Sequence, residues 1–260
     1  MLPLRFVPIA LLGIPLAFIA AFFIAPMMSV FLSSILDAKG TYTFAQYLKI
    51  VYDEYHWQIL TLTVKISLMT TGICIILGYP LAYFLTFVVT NNSIRRLCVV
   101  MLVLPLFTSN IVRSFGWIVL LGRRGLVNEG MLASGLTDAP VRFLGTETGI
   151  LIGLVYIHLP FIVIAVANSL ANMDDAFRQA AADLGANKWA VFTTVTLPLS
   201  LNGLAAGALM VFALTMSAYV TPALLGAGQI TMFSMLIFQQ YSSVFDLNFG
   251  GALSLSLIHI

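Results

Sequence analysis

The sequence predicts an all-α integral membrane protein. Of its 260 residues, 60% are hydrophobic and 8% are charged, whereas a soluble domain has about 25% charged residues. Its apolar segments are also long enough to cross a hydrocarbon core, which takes about 20 helical residues. A helix satisfies its own backbone hydrogen bonds and is therefore the expected spanning element. We expect residues 1–260 to form a single transmembrane domain.

About six transmembrane helices are predicted, the sixth of them incomplete. The five apolar segments of full spanning length are residues 6–36, 59–89, 97–121, 149–171 and 204–225. The sixth, residues 247–260, has 14 residues. A helix of that length covers about 21 Å, which is less than the roughly 30 Å of the hydrocarbon core.

The first apolar segment follows Arg5 and superficially resembles a signal peptide. It contains no charge from residue 6 to residue 36, about twice the 7 to 15 apolar residues of a signal peptide. We therefore interpret it as a retained first helix. The short connection of residues 90–96 ends in Arg95 and Arg96, which favours the cytoplasmic side. The N-terminus is then also cytoplasmic. The opposite loops contain Lys and Arg as well, so the count of basic residues on the two sides does not decide the orientation.

Several function classes find no support in the sequence. The 12 basic residues are scattered and do not form the basic stripe of a nucleic-acid-binding surface. Neither a G-x-S-x-G serine elbow nor an H-E-x-x-H metal site occurs, so we predict no catalytic residue, metal or cofactor. Cys74 and Cys98 lie in or beside apolar segments and are expected to be unpaired. No G-x-x-x-x-G-K-[ST] loop is present, so an ATPase would have to be a separate polypeptide.

One polar stretch, residues 172–203, has the pattern of two short helices separated by a sharp joint. Asp174 can cap the first helix, and Phe177 begins an apolar face that recurs at helical spacing. Gly185 stands where a helix end needs a left-handed residue. Asn187 can cap a second helix, whose pattern is interrupted at Pro198. Such a pair, at about residues 174–196, is typical of a membrane-skimming loop or of a docking element for a soluble partner.

This stretch resembles the EAA loop of permease subunits of bacterial binding-protein-dependent ABC importers. The family pattern is EAA, three residues, Gly, nine residues, Ile, one residue and Leu-Pro. The residues at these positions are Gln179, Ala180, Ala181, Gly185, Val195, Leu197 and Pro198. Gln replaces the usual Glu and loses its charge, and Val replaces Ile.

The resemblance implies a transporter subunit with partners, and no enzyme activity of its own. The expected partners are two ATP-binding subunits, a second permease subunit, and a periplasmic or extracellular solute-binding protein. The expected location is the bacterial inner membrane, with the EAA loop in the cytoplasm holding the ATPase. Residues 104–128 further resemble the spermidine/putrescine permeases, but permeases for opines, amino-phosphonates and other small solutes, such as amino acids, have similar segments.

Candidate residues for the translocation path lie within the predicted spans. Arg113 and His158 are ionisable. A charge inside a membrane is costly, so ionisable residues found there are candidates for function. Aromatic rings bind ammonium groups by cation–π contact, and the rings that we select are those of Tyr83, Trp117, Tyr156 and Tyr219. Alternatively, these rings are anchors at the membrane surface. Arg113 then pairs with a helix C-terminus or extends to the headgroups, and His158 forms a hydrogen bond with a neighbouring helix. No Asp or Glu lies within the complete spans, which argues against a proton-coupled carrier, the alternative class.

The length of the sixth segment leads to a prediction about the gene. A free carboxylate at Ile260 would lie inside the bilayer, where charge is costly. We expect the natural protein to continue for about 10 to 20 residues to a basic cytoplasmic tail, as spanning length requires. Sequencing of the genomic locus checks this. A stop codon directly after Ile260 would contradict it.

Overall fold

The computed structural model describes residues 7–37 and 40–260, so Arg5 and Phe6, at the start of the first predicted span, lie outside the described residues. These ranges contain helices and no β-strand, which confirms the all-α prediction. The helices are α1 (Val7–Ile19), α2 (Ala25–Ser34), α3 (Ala45–Tyr52), α4 (Glu54–Tyr83), α5 (Asn92–Val103), α6 (Asn110–Leu121), α7 (Leu126–Ala133), α8 (Glu147–Ala171), α9 (Asp175–Asp183), α10 (Lys188–Val191), α11 (Leu197–Met216), α12 (Val220–Leu225), α13 (Phe233–Gln239) and α14 (Leu247–His259).

Four continuous helical stretches are long and apolar enough to cross a membrane. They are Leu11–Ser34, Glu54–Val88, Glu147–Ala171 and Lys188–Met216. They correspond to the first, second, fourth and fifth predicted spans, and three of them contain a π-helical turn, at Ala20–Ile24, Phe84–Val88 and Phe192–Thr196.

The third predicted span is not one straight helix. Asn92–Phe107 and Asn110–Ala133 meet at an angle of 101° and together have the composition of one span or of a re-entrant loop. Pro105 lies in a 3₁₀ turn at the bend, where its ring and missing N–H stop the α-helical pattern. The side chain of Ser109 accepts a hydrogen bond from the Ile111 N–H and so starts a new helix.

The fifth span begins and ends earlier than predicted. Pro198 does not interrupt the helix, because the preceding turn is π-helical and the Leu197 N–H donates to the Phe192 carbonyl, five residues back. That wider turn accommodates a ring that would clash with the carbonyl four residues back in an α-helix. The span then ends at Met216, and a separate short helix, α12, follows.

The chain divides into two units by its internal contacts, Met1–Gln58 with Met235–Ile260, and Ile59–Ser234. In the first unit, α14 packs against α2. A Cβ on Gly251 would lie 3.0 Å from the Val30 carbonyl oxygen, so only glycine permits this approach. At the start of α14, the Lys49 ammonium lies 4.3 Å from the centre of the Phe249 ring. The 13-residue α14 is the incomplete sixth helix of the prediction.

The second unit is organised around the pair α8 and α11. These helices approach so closely that a Cβ on Gly203 would lie 2.3 Å from the Ser169 Cβ, and one on Gly207 would lie 3.0 Å from the Ala165 Cβ. α4 packs against α8 through the fully buried Cys74 and Ile162. Cys74 and Cys98 are free thiols, as predicted.

The close approach at Gly203 can be tested with a single methyl group. Gly203→Ala should destabilise the protein by about 1–3 kcal/mol through overpacking. Gly72→Ala is the matched control in α4, where an added Cβ meets nothing within 4 Å. There the exchange should raise stability by up to about 1 kcal/mol through helix propensity. The measurement is the thermal unfolding midpoint in detergent, and equal shifts for both variants would contradict the packing described.

Candidate functional site

The EAA loop folds into the helix, joint and second helix start that the sequence predicts. The Asp174 carboxylate accepts a hydrogen bond from the Ala176 N–H at 2.9 Å, and the Asn187 side-chain oxygen accepts one from the Ala190 N–H at 2.8 Å. Both predicted caps are therefore confirmed. Each satisfies an N–H group that the first turn of a helix leaves without a partner.

The joint at Gly185 has a left-handed backbone, as predicted, with φ at +86°. The Ala186 N–H donates to the Ala181 carbonyl, and the Gly185 N–H donates to the Ala182 carbonyl. This pair of bonds is the Schellman arrangement that ends a helix sharply. A residue with a Cβ is strained at this φ, although an added Cβ on Gly185 would meet no atom within 4 Å. The requirement for glycine is thus one of backbone conformation.

The outer surface of the loop exposes large apolar side chains. Leu184 is 90% exposed, Trp189 71% and Phe177 58%, and Gln179 and Ala180 are exposed beside them. No residue of α9 or α10 is buried. Exposed apolar groups gathered on one element are typical of a surface that binds a partner.

The second half of the EAA pattern differs from the prediction of a separate short helix. α10, the π-helical turn and α11 form one continuous helix, and Val195, Leu197 and Pro198 lie on it at the turn. Continuity follows from the wider turn, which removes the clash with Pro198. The loop is therefore one short helix, α9, followed by the start of a long one.

Side chains of the loop also contact the end of α4. The Arg178 guanidinium lies over the Phe87 ring, 3.9 Å from its centre, and forms an ion pair of 3.1 Å with Asp175. Phe192 meets Tyr79 and Tyr83 edge to face, at ring-centre distances of 5.9 and 5.6 Å. A groove of about 640 Å³ lies between these elements.

The structure places Tyr83 here, apart from the other candidate path residues. Its ring lies 5.1 Å from that of Phe87 and packs against the loop. The sequence analysis overlooked Arg178 and Phe87. The spacing of the apolar residues in α9 could be read from the sequence. The contact of Arg178 could not, because the Phe87 ring lies on a segment that is distant in the chain.

A second candidate site is a cavity of about 330 Å³ at two interruptions of the helices. One interruption precedes Asn110, and the other comprises Ser217 and Tyr219 between α11 and α12. Asn110, His158, Ser217, Tyr219 and Thr221 supply the polar groups of the lining. Non-helical backbone is tolerated at membrane depth where it is buried in protein or lines a water-filled cavity.

Three other candidate path residues, Arg113, Trp117 and Tyr156, are not part of this lining. Trp117 and Tyr156 pack edge to face with ring centres 5.4 Å apart. Arg113 donates a hydrogen bond to the Asn110 side-chain oxygen, and it lies within electrostatic range of Tyr156 and His158. In the described part of the chain, its Nε and Nη1 atoms are buried and lack a hydrogen-bond partner. The structure thus pairs Trp117 with Tyr156, places Tyr219 in the cavity lining, and joins Arg113 to that lining through Asn110.

His158 forms the predicted hydrogen bond with a neighbouring helix. Its Nδ1 lies 3.2 Å from the Thr215 hydroxyl of α11. A charged residue that the sequence analysis overlooked is Lys65, within the second predicted span. Its ammonium lies 2.6 Å from a Glu147 carboxylate oxygen at the start of α8. The sequence did contain a signal for this residue, namely a single Lys within an apolar run.

Comparisons with known proteins agree with the helical fold. Residues 74–260 match the family described as binding-protein-dependent transport system inner membrane component. The chain is 32% identical to the spermidine/putrescine transport system permease protein PotB of Escherichia coli K12, over 84% of this chain and 78% of that protein. PotB of Haemophilus influenzae is 30% identical, over 91% and 84%.

More distant relatives share the architecture. The molybdenum transport system permease protein ModB of E. coli K12 is 28% identical, over 63% of this chain and 69% of that protein. A chain in the crystal structure of a bacterial alginate ABC transporter, in complex with an alginate-pentasaccharide-bound periplasmic protein, superposes with a TM-score of 0.78 at 18% identity, over 96% of this chain and 88% of that one. This chain belongs to the inner membrane components of binding-protein-dependent transport systems and is a multi-pass permease subunit of an ABC importer.

Proposed function

We propose that this permease subunit carries polyamines such as putrescine and spermidine across the inner membrane. The observation that carries the proposal is the 32% identity to a spermidine/putrescine permease over 84% of the chain. The resemblance of residues 104–128 to such permeases points the same way. That segment includes the helix interruption at the cavity and the Arg113 side chain.

Import requires partners that this chain does not contain. Two ATP-binding subunits would supply the energy, a second permease subunit would complete the pathway, and an external solute-binding protein would deliver the solute. The ATPase would dock on the exposed face of the EAA loop, at Phe177, Ala180, Ala181 and Leu184. The small alanine side chains permit close approach, and the apolar groups would lose their contact with water on docking.

The cavity beside Arg113 is our candidate for the passage through this subunit. His158 is eleven residues into α8, or about 16 Å along the helix axis, so the cavity lies near the middle of a core of about 30 Å. The ring of Tyr219, which is part of the lining, can contact an ammonium group by cation–π interaction. The lining contains no carboxylate, and Arg113 repels cations, so a polyamine would pass without being held tightly.

Arg113 also supports a second candidate class of solute. Its two buried nitrogen atoms without a partner in the described chain are donors that suit a carboxylate or phosphonate. A solute carrying such a group, for example an opine, an amino-phosphonate or an amino acid, would satisfy them. Membership of a binding-protein-dependent family argues against a secondary carrier, which would transport without an ATPase.

The choice between polyamine and anionic solute can be made by uptake. Cells carrying the whole operon should accumulate radiolabelled putrescine or spermidine, and deletion of the permease gene should abolish this. Unlabelled amino acids and phosphonates serve as competitors. Uptake of a radiolabelled amino acid or phosphonate, with no polyamine uptake, would contradict the polyamine proposal and favour the second class.

The role of the loop can be tested by two substitutions. Gly185→Val introduces a β-branched residue at a left-handed position, with strain of about 1–3 kcal/mol. The substitution should therefore change the direction of α9 relative to the helix that follows. Ala181→Glu adds bulk and charge to the docking face. Both variants should insert into the membrane normally but lose uptake, because the ATPase is uncoupled or lost. Uptake is measured alongside recovery of the ATPase with the tagged permease, and normal results in both assays would contradict the docking role.

A further inference from the structure

The docking helix α9 is connected to more of the molecule than its place in the chain implies. Along the chain it is joined to α8 before it and to α10 and α11 after it. The stack of Arg178 on Phe87, at 3.9 Å, adds a contact with the π-helical turn Phe84–Val88 that follows α4, some 90 residues earlier. This contact joins the docking loop to a span that is not its neighbour along the chain.

The geometry of the stack fixes the orientation of the guanidinium. Asp175, one helical turn earlier, holds Arg178 by an ion pair of 3.1 Å. The central carbon of the guanidinium lies over the Phe87 ring, and Arg178 Nε is buried without a hydrogen-bond partner in the described chain. Planar stacking on a ring is a property of arginine that lysine does not reproduce.

An irregular turn at the end of the second span receives this contact. Phe87 lies in the π-helical turn Phe84–Val88, an irregular turn of the kind that often marks functional sites. Beyond it, the Arg95 guanidinium donates to the carbonyl oxygens of Thr86 and Val89, at 3.3 and 2.7 Å. The turn is thus held on one side by α5 and on the other by the docking loop.

We propose that the Arg178 and Phe87 stack transmits movement of the docked EAA loop to α4, so that Arg178 is a positioning residue for coupling. The inference rests on the proposed docking of the ATPase at this loop. Without the stack, α9 would still bind the ATPase through its exposed outer face, since Arg178 contacts the permease itself. Its movement would then reach α4 through the neighbouring Phe192 contacts and through α8, which packs against α4.

The experiment compares transport with ATP hydrolysis in proteoliposomes that contain the whole complex, including the binding protein. The variants are Arg178→Ala, Arg178→Lys and Phe87→Leu, with Arg96→Ala as the control at an exposed arginine of α5. We expect each test variant to retain the ATPase in pull-down and to lower solute transported per ATP by about 2- to 10-fold, the range that loss of one guanidinium–ring contact allows. The control should match the wild type.

Further outcomes separate transmission from other roles. The double variant Arg178→Ala with Phe87→Leu should fall no further than the single variants, because both remove the same contact. An unchanged transport-to-hydrolysis ratio in all variants, or loss of the ATPase from the complex, would overturn the inference. If Arg178→Ala fails to insert, Arg178→Lys and Phe87→Leu decide the result. Failure of the wild-type loop to bind the ATPase would instead overturn the proposed function.

Discussion

The close approach of α8 and α11 fixes the positions of both candidate sites. Gly203 and Gly207 leave no room for a Cβ against Ser169 and Ala165, so the two helix backbones pack directly. The EAA loop joins these helices, so the distance between the two ends of the loop is set by the distance between the helices. Further along, His158 of α8 and Thr215 of α11 form a hydrogen bond beside the cavity. One helix pair thus positions both the exposed loop and the polar cavity.

Local features of the loop could be predicted from sequence because their causes lie within a few residues. Asp174, Asn187 and Gly185 each act on backbone groups one to five residues away. Features that depend on distant segments could not be predicted. The break of the third span at Pro105, the position of Tyr83 against Phe192, and the contact of Arg178 with Phe87 all require knowledge of which helices are neighbours.

The irregular turns of the membrane helices show the same difference between local causes, which a sequence reveals, and distant causes, which it does not. Pro105 and Pro198 are both prolines in apolar segments, yet one lies at a bend of 101° and the other lies within a continuous helix. The difference is the π-helical turn before Pro198, in which the carbonyl partner shifts by one residue. A proline in a sequence indicates that a helix must adjust, but the adjustment is decided by what packs around it. The sequence therefore predicted the spans better than their ends.

The continuity of the helix through Pro198 has a mechanical consequence. From Lys188 to Met216 it has 29 residues, or about 43 Å at 1.5 Å per residue. Its first turn belongs to the docking loop, and its last turn borders Ser217 at the cavity. When a helix of this length tilts as a rigid body by about 5° about one end, its other end moves by about 4 Å. That displacement is larger than the radius of a methyl group, so a small tilt at the loop would change the packing around Ser217.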